Sequence, residues 1–465
     1  MRIITSLFKP LLLVIAFSYI SCTKSETSYM KNDADNVFTI SSKISLDEAF
    51  LIASGNNGQT KGLDVDITPI LEGNDTVLYL INYPQGWSVM PADRRLPSAL
   101  ITCDEGHITL DELLANDSAE YYVKSLMNEV KELVSHPEDI SLDAFNTKAS
   151  TPPMSFYEDG TWWTYVSRYE SSTTTDKIQN SLIQTKWGQG DAVRKWNINA
   201  PYTDINRTDN CPTGCTSVAF AQVLYYLHTK TGFPAQTYRD FGSISFCLNG
   251  NNNEPYPAII TDHNTYKSDM SDCWSDMPHI ASTSLSNSDY AVVSSLMVRL
   301  GYLFESEYYP TKTNTRSDCI VSGLYDGFGI TCSKSGYSVN TLPNQIYTLK
   351  LPVVLNMSRI DSNGNRSGGH TFIADGYKKV THHYTFVYKA MDESSTRYKY
   401  INDAAQNSSE YVSLNWGHDG SGDRASTGAV IWYNMGTSYT YSGTSETHTY
   451  NNVLGDSEMF YNFSH

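Results

Sequence analysis

Apolar residues recur at three- to five-residue spacing through DSAEYYVKSLMNEVKELVS (117–135), which puts Tyr121, Leu126, Val130 and Leu133 on one face of a predicted helix. SLDEAFLIAS predicts another: Ser45 and Glu48 form a capping-box pair ahead of an apolar run. TVLYLINY and GWSVMPAD are β-rich runs split by Pro84-Gln85-Gly86, a hairpin signal. From about residue 180 the pattern changes. Tyr/Val/Ile runs alternate with Asn/Gly/Ser/Asp loops, and only two stretches read as helices, the run after Cys215 and SNSDYAVVSSLMVRLGYLF near 286–304.

The change of character sets the organisation. TKASTPPMS and the Ser/Thr-rich YESSTTTDK mark a boundary region, read as a linker over 148–179 that is open to cleavage near 170–180. An α+β unit over 37–147 precedes it, and an α+β domain of catalytic size over 180–465 follows. The 465 residues carry 40% hydrophobic and 18% charged residues, a globular balance. Net charge is −17 with no Lys/Arg-rich block, which argues against nucleic acid as a partner.

The first 21 residues read as a targeting segment. Arg2 and Lys9 flank LLLVIAFSYI, an apolar stretch short for a membrane span but suited to a signal-peptide core. A small residue directly before Cys22 resembles a bacterial lipobox, with Tyr19 standing where Leu is usual. On that reading the chain is an exported cell-envelope protein held to a membrane by lipid at Cys22, and 22–36 is a flexible tether. An ordinary secretory signal is the alternative. Seven further cysteines remain, at 103, 211, 215, 247, 273, 319 and 332. The odd number leaves at least one thiol free, and no spacing suits a metal site.

CPTGCTSVAFAQVLYYL (211–227) carries the first candidate chemistry. A helix beginning near Cys215 would offer its sulfur unpaired N–H groups and the positive end of the dipole, lowering the thiol pKa. Gly214 would let a substrate backbone approach closely. Alone, the stretch favours the plainer reading of a small cysteine packed at a helix start. Three more pieces stand apart in sequence: SGGHTFIADGY with His370, VSLNWGHDGSGD with Asn415 and Trp416, and TKWGQGD with Gln189. Alone, each has a plain reading too, as a structural His, a core Trp or a loop Gln.

In this order, Gln, then TGC at a helix start, then GGH on a strand, then NWG, the chain resembles the streptopain-like cysteine peptidases (peptidase family C10) across 180–435. The stretch LYLINYPQGWSVMPADRRLPSALITCDEG resembles that family's Spi-type inhibitory pro-domain. The resemblance implies a papain-like fold and a zymogen. It implies Cys215 as nucleophile, His370 as general base and acid, and Gln189 in an oxyanion hole with the Cys215 N–H. Trp416 would shield the imidazole. Gly214, Gly368 and Gly369 would lie along the substrate.

Asn415 is the expected orienter of His370. Adjacent strand residues point to opposite faces, so Asn415 and Trp416 cannot both aim side chains at one ring without a bulge, and Asn415 would act through its backbone carbonyl. The chain reads NWGHDG where the family usually reads NWGWGG, which puts His418 in place of a second Trp. HHYTFVYKAMDESSTRYKYIND reads as an extra hairpin. Cys211 is expected to be buried or disulfide-bonded to one of Cys247, Cys273, Cys319 and Cys332. Protein or peptide substrates are expected, with no cofactor or metal. Acyl transfer to an amine and a catalytically inert, surface-binding lipoprotein are the rival functions.

Overall fold

The computed structural model describes residues 39–53, 65–114, 117–137, 139–141, 155–201, 203, 209–233, 245–249, 255–259, 274–282, 284–360, 366–391, 397–421, 423–436, 439–442, 447–450 and 457–465. The targeting segment, the tether and Cys22 lie outside the described residues, as do 148–154 of the expected linker, Cys273 and the side chain of Cys247.

The N-terminal unit runs β1 (Thr39–Ser41), α1 (Leu46–Ala53), β2 (Asp66–Glu72), β3 (Asp75–Asn82), β4 (Trp87–Pro91), β5 (Ile101–Cys103), α2 (Leu110–Leu113), α3 (Asp117–Ser135) and β6 (Asp139–Ser141). The local signals hold. The Ser45 hydroxyl accepts the Glu48 N–H at 3.3 Å, and the Glu48 carboxylate accepts the Ser45 N–H at 2.9 Å, closing the capping box of α1. β3 and β4 form a hairpin across Pro84-Gln85-Gly86, with Gly86 at φ +86° in the turn. Leu126, Val130 and Leu133 of α3 are buried against this sheet as expected, and Tyr122 completes the face, whereas the side chain of Tyr121 lies outside the described residues.

The rest of the chain continues with β7 (Ser155–Glu158), β8 (Thr161–Gln179), α4 (Cys215–Thr231), β9 (Ser245–Asn249), β10 (Pro255–Ile259), α5 (Asn287–Leu303), β11 (Glu307–Tyr308), β12 (Thr313–Asn314), α6 (Ile320–Phe328) and β13 (Thr331–Gly336). Then come β14 (Val353–Ile360), β15 (Arg366–Ala390), β16 (Tyr398–Asn415), β17 (Ile431–Asn434), β18 (Tyr439–Ser442), β19 (Thr447–Tyr450) and β20 (Ser457–Ser464). One antiparallel sheet runs β13-β20-β14-β15-β16-β17-β5-β4-β3-β2, so the N-terminal unit joins the later strands edge to edge. The seam is β5 on β17, with Ile431 opposite Cys103 and Tyr433 opposite Ile101.

Alternation along β15 separates two cores. Phe372 and Ala374 face a core shared with Leu126, Val130, Trp416 and Tyr433, whereas Ile373 faces the core around α4. α4 is buried on nearly all sides over Thr216–Leu227, as expected of a helix apolar all round.

Two sequence expectations change. The stretch read as an open linker is strand over much of its length: β8 pairs with β15 from Gln179 opposite Tyr377 to Trp163 opposite Ala390. Its Thr and Tyr residues suit an edge strand, and the partner that turns it into one lies two hundred residues away. α6 was not legible as a helix because Gly323 and Gly327 interrupt its pattern. A Cβ at Gly323 would stand 2.7 Å from the Leu303 carbonyl, so the glycine lets α6 approach the end of α5. The expected extra hairpin is present as the distal halves of β15 and β16.

Close approach also fixes α5. A Cβ at Gly301 would overlap the hydroxyl of fully buried Tyr308 and reach within 3.5 Å of Ser217 on α4. Gly301→Ala is therefore expected to destabilise the chain by about 1–3 kcal/mol through overpacking. The check is a urea midpoint, and an unchanged midpoint would mean that Tyr308 moves freely.

Candidate active site

Cys215 is the first residue of α4, and Gly214 is its N-cap at φ +89° and ψ 139°. Only glycine adopts that backbone readily. A Cβ at Gly214 would press on Thr313 Cγ2 at 3.0 Å, so the missing side chain makes room for β12. The Cys215 Sγ accepts the Thr371 N–H at 3.4 Å. The Thr371 hydroxyl meets that of Thr216 at 2.9 Å, locking the start of α4 onto β15. His370 precedes Thr371 and is buried, so the Cys215 thiol and the His370 imidazole come from adjoining backbone positions across the helix–sheet junction.

His370 Nε2 lies 2.8 Å from the Trp416 carbonyl oxygen. A carbonyl only accepts, so Nε2 is the nitrogen that carries the proton of a neutral ring. The orienter is thus the backbone of Trp416, one residue later than expected. Asn415 acts one step removed. Its Oδ1 accepts the Gly417 N–H at 3.1 Å, and that N–H belongs to the same peptide whose carbonyl holds His370. Asn415 is itself fixed by Gln222, whose Nε2 donates to Asn415 Oδ1 at 3.2 Å, and by donating to the Thr185 carbonyl at 3.2 Å. Gln222 lies two helical turns after Cys215 on the same side of α4, is fully buried, and also accepts the Thr185 hydroxyl at 2.9 Å. The side chains of Asn415 and Trp416 part to opposite faces, as the strand period requires. Trp416 is fully buried with its ring 6.2 Å from His370.

Gln189 is carried to the same place by its backbone. Its carbonyl accepts the Thr213 N–H at 3.0 Å, two residues before Cys215. The neighbouring glycines explain the approach. Gly188 lies where a Cβ would collide with the Asp419 carboxylate, and Gly190 has φ +92° beside Asn197. Asp419 accepts the Trp196 indole N–H and pairs with Arg194, which ties the loop after Trp416 to the Gln189 segment. Gly369 is exposed, and a Cβ there would stand 2.8 Å from the Met357 carbonyl. Gly368 lies in β15 opposite Arg359.

The other thiols are set apart by their surroundings. Cys211 is fully buried and free, which settles its choice in favour of packing, and burial pushes its thiol up to about 11. Burial does the same to Cys332 and raises Cys103. Two carboxyls that gave no signal in the sequence stand behind the site. Asp423 accepts the Trp416 N–H at 2.8 Å, and Asp375 accepts the Ile183 N–H at 3.0 Å and the Ser413 hydroxyl at 2.9 Å. Burial outweighs these hydrogen bonds and pushes each up to about 7. They line a polar pocket of about 180 Å³ with Lys186, Asn415 and Arg424. Among the described residues no group of three His, Cys, Asp or Glu side chains could hold a metal.

Comparison with known proteins adds the following. A family model described as the peptidase C10 family matches residues 187–424. No curated protein matches. Among solved structures, a fragment of prointerpain A from Prevotella intermedia is similar over 85% of this chain and 98% of its own, at 16% identity and a TM-score of 0.47. The active wild-type interpain A cysteine protease of the same organism is similar over 62% of this chain and 95% of its own, at 19% identity and a TM-score of 0.38. The family match spans more than half of the chain and encloses both the helix of Cys215 and the strand of His370; this chain therefore belongs to the peptidase C10 family and is a cysteine peptidase.

Proposed function

We propose that the chain is an exported zymogen of a thiol endopeptidase, with Cys215 and His370 as its reacting pair. The observation that carries this reading is the junction itself: the Cys215 sulfur sits on the Thr371 N–H, while His370 commits Nε2 to the Trp416 carbonyl. Nδ1 of His370 takes the thiol proton, and the thiolate attacks the peptide carbonyl carbon. The Cys215 N–H at the head of α4 and the Gln189 side-chain amide receive the oxyanion. His370 then returns the proton to the leaving amine, and water releases the acyl group from sulfur. Asn415, Gln222 and Asp423 position the Trp416–Gly417 peptide and do not touch substrate.

The N-terminal unit is the inhibitory segment in this reading, and lipid at Cys22 anchors the uncut chain to the envelope. Contacts of α3 behind Trp416 and an ion pair farther along β15 support this inhibitory hold. Tyr122 of α3 meets Trp416 edge-on at 6.1 Å and Tyr433 at 5.1 Å, behind the residue whose carbonyl holds His370. Lys378 of β15 pairs with both carboxylate oxygens of Asp104, just past β5, at 2.7 Å.

Cys215→Ala and His370→Ala are each expected to give a folded chain without peptidase activity on casein. Proteolysis by the Cys215→Ala chain at the wild-type rate would end this reading. Amine incorporation into casein, measured in the same assay, separates hydrolysis from acyl transfer.

Gln189→Ala should lower kcat by about 10²–10³, the usual loss for one oxyanion donor, while alkylation of Cys215 persists. Parallel loss of both would mean that Gln189 shapes the site instead.

Pairing of β8 with β15 opposes cleavage at 170–180, because a protease must draw its substrate out of the sheet. Wild-type protein is expected to shed a fragment that begins before Ser155 and keeps β7 and β8, whereas Cys215→Ala stays full length. Intact-mass measurement of the fragment decides, and a start within 170–180 would restore the linker reading.

A further inference from the structure

Three aromatic rings lie against the imidazole of His370 among the described residues. Phe372 is 6.0 Å away with planes 16° apart, Trp416 6.2 Å and 29°, and His418 5.1 Å and 12°. His418 is the nearest of the three, the most nearly parallel, and the one that can take a charge. Its backbone is fixed by the turn that also carries the orienting peptide. Gly417 stands at φ +71° against Val218 of α4, and the His418 carbonyl accepts the Ser421 N–H at 2.9 Å. His418 is half-buried, so solvent protons reach it.

We propose that His418 is a positioning residue for the thiolate–imidazolium pair: neutral, it steadies the charged ring of His370 by stacking, and protonated, it dismisses that charge and sets the acidic limit of turnover. The proposal rests on the Cys215–His370 reading above. A neutral π-face attracts a cation held over it. A second cation at the same distance repels it, which disfavours the charged form of His370. The protons balance. One from solvent enters the His418 ring, and the one on His370 Nδ1 returns to the Cys215 sulfur, leaving a neutral thiol and a neutral imidazole. The two imidazoles then titrate as a coupled pair. Like charges about 5 Å apart at a partly solvated site shift each other by about one pH unit.

Other ionisable groups face the same turn. On the turn itself, Asp419 is engaged by Trp196 and Arg194, and Asp423 is engaged by the Trp416 N–H beside Asp375 of β15. From the segment before α4 come Lys186, against Gly420, and Arg194, against Asp419; α4 itself meets the turn through uncharged Val218. Burial raises Asp423 and Asp375 into the neighbouring pH range, so the test has to separate Asp423 from His418.

The test is the pH dependence of iodoacetamide alkylation of Cys215, located by mass spectrometry on the full-length chain, together with casein cleavage by incubated enzyme from pH 4 to 9. Each profile is scaled to its own plateau. His418→Phe is expected to move the acidic midpoint down by about one unit in both measurements, and His418→Gln, which tolerates misfit better, should do the same. His418→Lys, charged throughout the range, should lower the alkylation rate about tenfold at neutral pH. Asp423→Asn, which disturbs the peptide that holds His370, is expected to change the plateau and to move the midpoint by less than His418→Phe does. A midpoint within 0.3 units of wild type in both neutral variants would overturn the proposal, as would a shift seen only with Asp423→Asn. Proteolysis that survives Cys215→Ala would instead overturn the pair reading, and the proposal with it.

Discussion

The peptide between Trp416 and Gly417 is the element on which the site depends. Its carbonyl accepts from His370 Nε2 at 2.8 Å and its N–H donates to Asn415 Oδ1 at 3.1 Å, so both ends of one dipole are held. Polarisation along such a chain strengthens each bond. The result fixes which nitrogen of the neutral His370 ring carries the proton. No side-chain substitution removes a backbone carbonyl, so the residues that matter are those that hold the peptide still: Asn415, Gln222 and Asp423. Gln222 links this peptide to the helix that carries Cys215.

The same region explains how the two units of the chain are joined. Trp416 and Tyr433 belong to a core that includes Tyr122, Leu126 and Val130 of α3, and β5 completes the open edge of β17. Separating the units would expose that core face and leave three residue pairs of the ladder unmatched. An unmatched edge with apolar neighbours is costly in water and prone to pairing elsewhere. The sheet therefore joins the two units, and parting them requires displacement of a strand.

The buried carboxyls Asp375 and Asp423 constrain the pH range of the fold. Burial raises both to about 7 from an ordinary value of 3.8, so the folded chain favours their protonated forms. Their contribution to stability is complete below the ordinary value and is lost as pH rises through about 7. Above that, two like charges would share a small pocket behind the Trp416 N–H, with Lys186 and Arg424 lining its wall.

By itself, the sequence determined the elements whose signals are local. The Ser45–Glu48 box, the face of α3, the Pro84-Gln85-Gly86 hairpin and the helix at Cys215 each depend on residues within a few positions of one another. The order of Gln189, Cys215, His370 and the NWG stretch was legible for the same reason. Tertiary structure decided the rest, because the deciding partners are remote. Thr- and Ser-rich residues 161–179 read as linker until β15 lies alongside them. Gly323 and Gly327 read as a break until α5 packs into the space they leave. Orientation of His370 fell to the Trp416 carbonyl, since the strand period turns the Asn415 side chain to the far face, where Gln222 meets it. A backbone carbonyl is common to every residue, so only its direction in space could mark this one.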